Sequence, residues 1–137
     1  MKYRLALHNL DLKSTPQRRA ILKFLDGNRD HPSAETIYKE VKKEYPTLSY
    51  ATVYNTLSKL VKGGKIQELS VDPAKKRYDP DPTPHAHFLC SSCGNLFDIV
   101  GDAAFAAKLN ALNIAYLDGH RIDEMELDFK GVCRDCV

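Results

Sequence analysis

The segment HAHFLCSSCG, residues 85–94, holds two imidazoles and two thiols, which are strong ligands for transition metals. Because alternate side chains of a β-strand point to opposite faces, His85 and His87 are expected to share one face. Cys90 has the opposite parity, and Cys93 follows it at the CxxC spacing of a zinc knuckle. The sequence therefore predicts two metal sites that lie back to back.

The four cysteines form two CxxC pairs, Cys90 with Cys93 and Cys133 with Cys136. Four thiolates are the ligand set of a closed tetrahedral zinc site, which has no open position for catalysis. The pattern predicts a structural zinc that fastens the end of the chain to the first strands of the second half. The alternatives are unpaired core cysteines and a redox-active dithiol, but neither pair clearly opens a helix after a strand, as a redox motif would.

The HxH pair is weak evidence for a metal by itself, since two surface histidines would give the same pattern. Two carboxylates flank the pair, Asp79 and Asp98, and His31 stands alone at the start of the second predicted helix. Imidazoles and carboxylates suit a divalent cation. The sequence alone does not select the partners of His85 and His87.

The first half of the chain predicts three helices followed by a hairpin. Caps, apolar spacing and helix-breaking residues give the bounds of these helices. The first runs from Pro16 to a stop at Gly27, the second from Ser33 to a stop at Pro46, and the third from its cap at Ser49 to a stop at Gly63 and Gly64. Residues 65–71 and 77–79, joined by a polar turn, predict a two-stranded wing. This order of elements is that of a winged helix-turn-helix domain.

The segment DPDPTP, residues 79–84, predicts a semi-rigid hinge between one domain over residues 1–78 and another over residues 85–137. Beyond it, residues 85–90 and 96–100 predict strands, and Asp102 caps a predicted helix that runs through Asn113. Residues 122–130 alternate and predict a half-buried strand, with Met125, Leu127 and Phe129 on one face and Glu124, Glu126 and Asp128 on the other. The predicted fold class is α+β.

Charge divides along the same boundary. Residues 1–78 carry 16 Lys and Arg against 8 Asp and Glu, a net charge of +8, whereas residues 79–137 carry 4 against 10, a net of −6. A basic half is typical of nucleic-acid binding, and an acidic half supplies oxygen ligands. The alternative is a chance segregation of charge over solvated faces.

The third predicted helix presents polar side chains that can contact DNA. Its inward positions are Val53, Leu57, Leu60 and Val61, and its outward positions are Thr52, Asn55, Thr56, Lys59 and Lys62. The candidate DNA contacts on this helix are Ser49, Tyr50, Thr52, Tyr54, Asn55 and Lys59. Tyr54 has the alternative of packing under the helix. The expected contacts to the phosphate backbone are Arg18, Arg19, Lys75, Lys76 and Arg77.

No apolar run approaches the roughly 18 residues of a membrane span, and the N-terminal residues do not form the pattern of a signal peptide. We therefore expect a cytoplasmic protein with no membrane partner. In that compartment cysteines stay reduced, which favours metal thiolates over disulfides.

Six segments resemble the ferric uptake regulator (Fur) family of metal-dependent bacterial repressors. They are TPQRRAILKFL at 15–25, HPSAETIY at 31–38, SYATVYNTLSKL at 49–60, RYD at 77–79, HAHFLCSSCGNLFD at 85–98 and GVCRDC at 131–136. The resemblance implies a winged-helix domain joined by a hinge to a small C-terminal α/β dimerisation domain. It also implies a homodimer, which predicts a palindromic operator in double-stranded DNA.

The same resemblance implies two metals. Structural Zn(2+) would bind Cys90, Cys93, Cys133 and Cys136, and regulatory Fe(2+) or Mn(2+) would bind His31, Asp79, His85, His87 and Asp98. Because His31 belongs to the DNA-binding half, occupancy would clamp the two halves in the orientation that fits DNA.

Two positions resemble the peroxide-sensing (PerR) members of the family. Asp98 stands where iron sensors usually carry Glu, and Ala86 stands where they commonly carry Asp. The resemblance implies that hydrogen peroxide oxidises His31 or His85 through the bound iron, after which the metal and the operator are released. The alternative is an iron-responsive repressor, although the further site to which His120 would belong looks incomplete here.

Two other classes of function remain as alternatives. A metalloenzyme could use an open coordination position to activate water, but the sequence offers no convincing general base beside the site, so no enzymatic activity is expected. A zinc-stapled interaction module would bind one zinc per chain and would not respond to iron or manganese.

Overall fold

The computed structural model describes residue 7 and residues 9–83 and 85–137. Pro84, the last residue of the predicted hinge, and residues 1–6 and 8 of the first predicted domain lie outside the described residues. The chain divides into two compact units, Met1–Thr83 and Pro84–Val137. Helices dominate the first unit and a sheet dominates the second, so the α+β prediction is confirmed.

The first unit contains three described helices and a hairpin. They are α1 (Pro16–Leu25), α2 (Ala34–Lys42), α3 (Tyr50–Lys62), β1 (Gln67–Leu69) and β2 (Arg77–Asp79). β1 and β2 pair antiparallel and form the predicted wing. Helix α2 ends before the predicted stop at Pro46, because the chain turns at residues 43–44 instead.

Local sequence signals begin all three helices. The side chains of Thr15, Ser33 and Ser49 accept hydrogen bonds from backbone N–H groups in the first turns of α1, α2 and α3. Such a cap contributes about 1 kcal/mol, because these N–H groups have no partner within the helix. The three caps are therefore readable from the sequence.

The core of the first unit lies among the three helices. Its fully buried apolar side chains include Ile21, Leu25, Ile37, Val53, Leu57 and Leu60. Thr56 is also buried, so its predicted outward position is wrong. It lies three residues after Val53 and four before Leu60, on the same helical face, and its hydroxyl donates to the carbonyl of Thr52 at 2.7 Å.

The second unit is built on a three-stranded sheet. Its elements are β3 (Ala86–Cys90), β4 (Leu96–Ile99), α4 (Ala103–Ala111), β5 (Tyr116–Leu117), β6 (His120–Arg121) and β7 (Asp128–Gly131). The sheet has the order β4-β3-β7, in which β3 is antiparallel to β4 and parallel to β7. The Asp102 side chain caps α4, as predicted, and the helix ends at Ala111 rather than Asn113.

The predicted strand over residues 122–130 is wrong in extent, because only Asp128–Gly131 pairs as β7. Residues 116–121 instead form a separate hairpin, β5 with β6. Its turn residues Asp118 and Gly119 both have positive φ, +50° and +82°, as tight hairpin turns require. The apolar side chains of Met125 and Phe129 are exposed in the single chain.

Candidate metal centres and DNA-facing helix

The four cysteines lie together at one end of the second unit. Cys90 ends β3, and the parallel pairing of Cys90 with Gly131 on β7 brings the second CxxC pair beside the first. The four sulfur atoms all lie within 4.8 Å of one another, and the Sγ atoms of Cys93 and Cys133 are 3.9 Å apart. Zinc–sulfur bonds of about 2.3 Å in a tetrahedron place sulfurs about 3.8 Å apart, so the cluster fits zinc.

Hydrogen bonds make the thiols of this cluster unequal. The Sγ of Cys90 accepts from the backbone N–H groups of Cys93 at 3.4 Å and Cys133 at 3.3 Å, which lowers the pKa of Cys90 to about 6. Hydrogen bonding with the Cys133 side chain raises the pKa of Cys136 to about 12. A cation that binds all four sulfurs must therefore displace protons.

In the first unit, His31 and Asp79 form a buried pair. The Nε2 of His31 lies 3.2 Å from the Oδ2 of Asp79, and both side chains are almost wholly excluded from solvent. The Oδ1 of Asp79 accepts from the backbone N–H of Asp81 at 2.9 Å. The backbone N–H of Tyr78 donates to the carbonyl of Pro32 at 3.0 Å, which holds the His31 loop beside β2.

The backbone of His31 is strained. Its φ is +52°, a left-handed conformation that L-residues rarely adopt, and the following residue is Pro32, which further disfavours helical conformations before it. Strain of this kind costs about 1–3 kcal/mol and is concentrated at functional sites. The fold therefore holds this imidazole in place at an energetic cost.

In the second unit, one carboxylate contacts both histidines of the HxH pair. The Oδ1 of Asp98 lies 2.8 Å from the Nε2 of His85 and 3.4 Å from the Nε2 of His87. The two imidazole rings are 4.4 Å apart between centroids, so the side chain of His85, which directly precedes β3, lies on the same side as that of His87, as the parity argument predicts. Two nitrogens and one oxygen at these separations are a suitable set of donors for a divalent metal cation.

Each unit thus carries part of the predicted regulatory set, two residues in the first and three in the second.

Sequence reasoning missed Asp128, which was assigned only to the polar face of a strand. Its Oδ1 lies 3.8 Å from the Nδ1 of His87. The alternation of residues 122–130 could have indicated which face of the strand carries Asp128. The pairing of β7 with β3 was needed to identify His87 as its neighbour.

Helix α3 presents a polar face to solvent. Ser49, Tyr50, Tyr54, Asn55 and Lys59 are exposed. Because 54% of Tyr54 is accessible, the alternative that this ring packs under the helix is wrong. Thr52 is half-buried, and its hydroxyl lies 2.8 Å from that of Ser49 at the helix cap.

The other basic candidates differ in how much they are engaged within the protein. Arg18 and Arg19 donate to the backbone carbonyls of Lys13 and Ser14, respectively. In the wing, Lys75 is exposed, Lys76 pairs with Glu68 at 2.8 Å, and the half-buried Arg77 pairs with Asp72 at 3.1 Å. Arg77 is therefore a weaker candidate for a phosphate contact than the two lysines.

Comparison with known families shows what this arrangement is related to. The family model described as the ferric uptake regulator family matches residues 9–125. The chain belongs to the ferric uptake regulator family. No helix in the described part of this Fur-family chain is long and apolar enough to cross a membrane.

Three relatives illustrate the similarity. The peroxide operon regulator of Bacillus subtilis is 33% identical over 130 residues, which cover 95% of this chain and 88% of that protein. The structure of the Campylobacter jejuni peroxide stress regulator has 33% identity and a TM-score of 0.71, covering 99% of this chain and all of that chain. The Helicobacter pylori ferric uptake regulator has a TM-score of 0.77 with 22% identity, covers 98% of this chain and 89% of that chain, and shows the shared fold.

Proposed function

We propose that this chain is a metal-dependent transcriptional repressor that binds palindromic operator DNA as a homodimer and is released by hydrogen peroxide. The similarity to peroxide regulators of two organisms favours peroxide over iron as the signal. The observation that carries the metal-dependent part is the Asp98 carboxylate, which contacts both His85 and His87.

The proposed domains are a DNA-binding domain over residues 1–78, a hinge over residues 79–84 and a dimerisation domain over residues 85–137. The two compact units, which divide between Thr83 and Pro84, support this organisation. In the dimerisation domain, Cys90, Cys93, Cys133 and Cys136 would hold Zn(2+). With four protein ligands this ion would stabilise the fold without taking part in sensing.

The regulatory ligands are proposed to be His31, Asp79, His85, His87 and Asp98, which together would hold Fe(2+) or Mn(2+). The two carboxylates balance the charge of a divalent cation. Since His31 and Asp79 belong to the first unit and the other three to the second, one ion bound by all five would restrict how the two units are oriented. That restriction would favour the arrangement in which two α3 helices fit DNA.

Bound Fe(2+) would supply electrons for the reduction of hydrogen peroxide. His31 and His85 are the imidazoles expected to gain oxygen: the O–O bond of hydrogen peroxide would break, one oxygen would be added to a ring carbon, and the other would leave as water. An oxidised imidazole is a poor ligand. Loss of one imidazole would remove the proposed restriction between the units, and the repressor would then leave its operator. Mn(2+) on the same residues would support DNA binding while leaving the histidines intact.

The test combines DNA binding with peptide mass spectrometry. A palindromic operator is first selected from random DNA with Mn(2+)-loaded protein. Fe(2+)-loaded protein is then treated with a trace of hydrogen peroxide, and we expect one added oxygen on the peptides that contain His31 or His85, together with loss of operator binding. The Mn(2+)-loaded protein is the matched control, and His120, exposed on β6, is an internal control that should stay unmodified.

The second candidate is an iron-responsive repressor, which the match to the ferric uptake regulator family favours. If Fe(2+)-loaded protein keeps both histidines and its operator after peroxide, the peroxide mechanism is wrong. Binding that follows only the iron concentration would then establish the second candidate.

A further inference from the structure

Asp128 is aligned across the sheet with two proposed regulatory ligands, His87 and Asp98. The sheet has the order β4-β3-β7, and the residues that pair with His87 are Asp98 on β4 and Asp128 on β7. Directly paired residues on neighbouring strands project their side chains from the same face. The imidazole of His87 therefore lies between two carboxylates.

The two ring nitrogens of His87 face different carboxylates. The Nε2 lies 3.4 Å from the Oδ1 of Asp98, and the Nδ1 lies 3.8 Å from the Oδ1 of Asp128. The separation from Asp128 is longer than a hydrogen bond, so this interaction is electrostatic. Only 2% of the His87 side chain is accessible, which reduces the competition from water for both contacts.

We propose that Asp128 is a positioning residue for the regulatory metal. Its carboxylate favours the tautomer of His87 that carries the proton on Nδ1, which leaves the lone pair of Nε2 directed towards the cation beside Asp98. The inference rests on the proposed function, in which His87 is a metal ligand. Metal-binding histidines commonly present their second nitrogen to a carboxylate, which orients the ring and increases its basicity.

A purely structural role for Asp128 predicts a different outcome. β7 is held to β3 by backbone pairing from His87 with Asp128 to Cys90 with Gly131, and that pairing does not need the carboxylate. Asp128 also adds negative charge near the site, so its removal would weaken cation binding even without an effect on the tautomer. The test must therefore separate orientation of the ring from charge.

Four proteins make this separation: the wild type, Asp128→Ala, Asp128→Asn and Asp123→Ala. Asn keeps a partially negative oxygen near Nδ1–H but loses the full charge. Asp123→Ala removes the same charge from an exposed position in this unit, where Asp123 pairs with Arg121. The measurements are Mn(2+) affinity from the electron paramagnetic resonance of the free ion, and the His87 tautomer in metal-free protein from its ¹⁵N imidazole resonances.

We expect Asp128→Ala to weaken Mn(2+) binding by about 10- to 100-fold and to shift the proton of His87 from Nδ1 towards Nε2. Asp128→Asn should shift the tautomer less and lose less affinity than the Ala variant, because its oxygen keeps a partial negative charge, and Asp123→Ala should resemble the wild type in both measurements. Equal losses in the Ala and Asn variants with an unchanged tautomer would show a charge effect and overturn the positioning role.

A result that contradicts the proposed ligand set can be distinguished from one that contradicts only the role of Asp128. If His87→Ala binds Mn(2+) as the wild type does, His87 is not a ligand, and both the proposed ligand set and the role of Asp128 are wrong. If His87→Ala loses binding while Asp128→Ala changes neither affinity nor tautomer, the ligand set stands and only the role of Asp128 is overturned.

Discussion

His31 shows how one residue can be both strained and fully buried. Its backbone adopts φ +52° before Pro32, and its imidazole pairs with the carboxylate of Asp79. Hydrogen bonds and packing around this loop stabilise a conformation that the residue would otherwise avoid. The pair is therefore important for stability as well as for the proposed metal site.

Replacing His31 should destabilise the metal-free protein. We expect His31→Ala to lower the free energy of unfolding by about 3 kcal/mol, because it removes one partner of a buried carboxylate and keeps the left-handed backbone. His31→Asn should lose less, since Asn tolerates this conformation better. Urea unfolding measures the effect, with His120→Ala as the exposed control, and equal stabilities of all variants would contradict it.

The shifted pKa values of two thiols in the cysteine cluster indicate how zinc binding depends on pH. The pKa of Cys90 is lowered to about 6, so near pH 7 this thiol is mostly ionised before zinc binds, whereas the raised pKa of Cys136 means that this thiol releases its proton on binding. As pH falls through the pKa of Cys90, that thiol also becomes protonated in the metal-free protein, and zinc must displace one more proton.

We therefore expect more protons to be released per zinc at about pH 5 than at about pH 7, together with a weaker affinity at the lower pH. Calorimetry in buffers of different ionisation enthalpy measures the proton count. A constant proton count in the wild type would show that Cys90 is not ionised first.

At the scale of elements, helix α3 separates residues that support the fold from residues that face solvent. Leu57 and Thr56 are fully buried, whereas Lys59 and Tyr54 are exposed. Truncation of the exposed side chains should therefore affect DNA binding with little effect on the stability of the fold.

We expect Lys59→Ala to reduce the slope of log affinity against log salt by about 1.8, the value for two phosphate contacts, one from each protomer of the proposed dimer. Its free energy of unfolding should stay within about 0.5 kcal/mol of the wild type. Operator titrations at several salt concentrations measure the slope. Lys43, exposed after α2 and paired with Glu40, provides the control Lys43→Ala, and an equal change in both variants would exclude a specific contact by Lys59.

The wing and the proline-rich segment are linked through one side chain. The Nε2 of Gln67 on β1 donates to the carbonyls of Asp81 at 2.8 Å and Thr83 at 2.6 Å. The backbone N–H of Thr83 in turn donates to the side chain of Asp81 at 2.9 Å. These bonds order the residues that follow Asp79 and give residues 79–83, the described part of the predicted hinge, a defined conformation.

Replacing Gln67 with Glu should loosen this segment, because a carboxylate oxygen cannot donate to either carbonyl. We expect faster amide exchange at Asp81 and Thr83 by mass spectrometry and weaker operator binding by the metal-loaded protein. Gln17→Glu is the matched control, since the Gln17 amide donates to the exposed Thr47 hydroxyl at 3.2 Å, away from the proline-rich segment. Unchanged exchange in Gln67→Glu would show that the turn is stable without the amide.

At the scale of the molecule, the two units differ in what stabilises them. The first unit has a core of buried aliphatic side chains among its helices. The second exposes large apolar side chains, including Tyr116, Leu117, Met125, Phe129 and Val132. A small unit with so much exposed apolar surface is expected to depend on zinc and on a second copy of the chain.

Loss of one zinc ligand should therefore affect assembly. We expect Cys93→Ser to bind less than one zinc per chain and to dissociate to monomers at concentrations where the wild type is dimeric, measured by analytical ultracentrifugation. Val137→Ser, at a position that is 95% exposed, is the control and should remain dimeric. A metal-responsive Cys93→Ser dimer would show that zinc does not support the interface.

The sequence by itself determined the features that depend on neighbours along the chain. Caps at Thr15, Ser33 and Ser49 begin the helices, the two CxxC pairs specify the soft ligand set, and strand parity assigns His85 and His87 to one face. These features follow from helical and strand periods and from ligand chemistry, which are local. The expected regulatory ligands themselves came from the family resemblance.

Only the tertiary structure decided the features that depend on distant partners. The parallel pairing of β3 with β7 joins segments about forty residues apart, brings the CxxC pairs together and aligns Asp128 with His87. The extent of β7 also depends on that partner, which explains why alternation over residues 122–130 overestimated it. Alternation specifies the face of a strand, whereas its partner and register follow from non-local packing that a single sequence does not reveal.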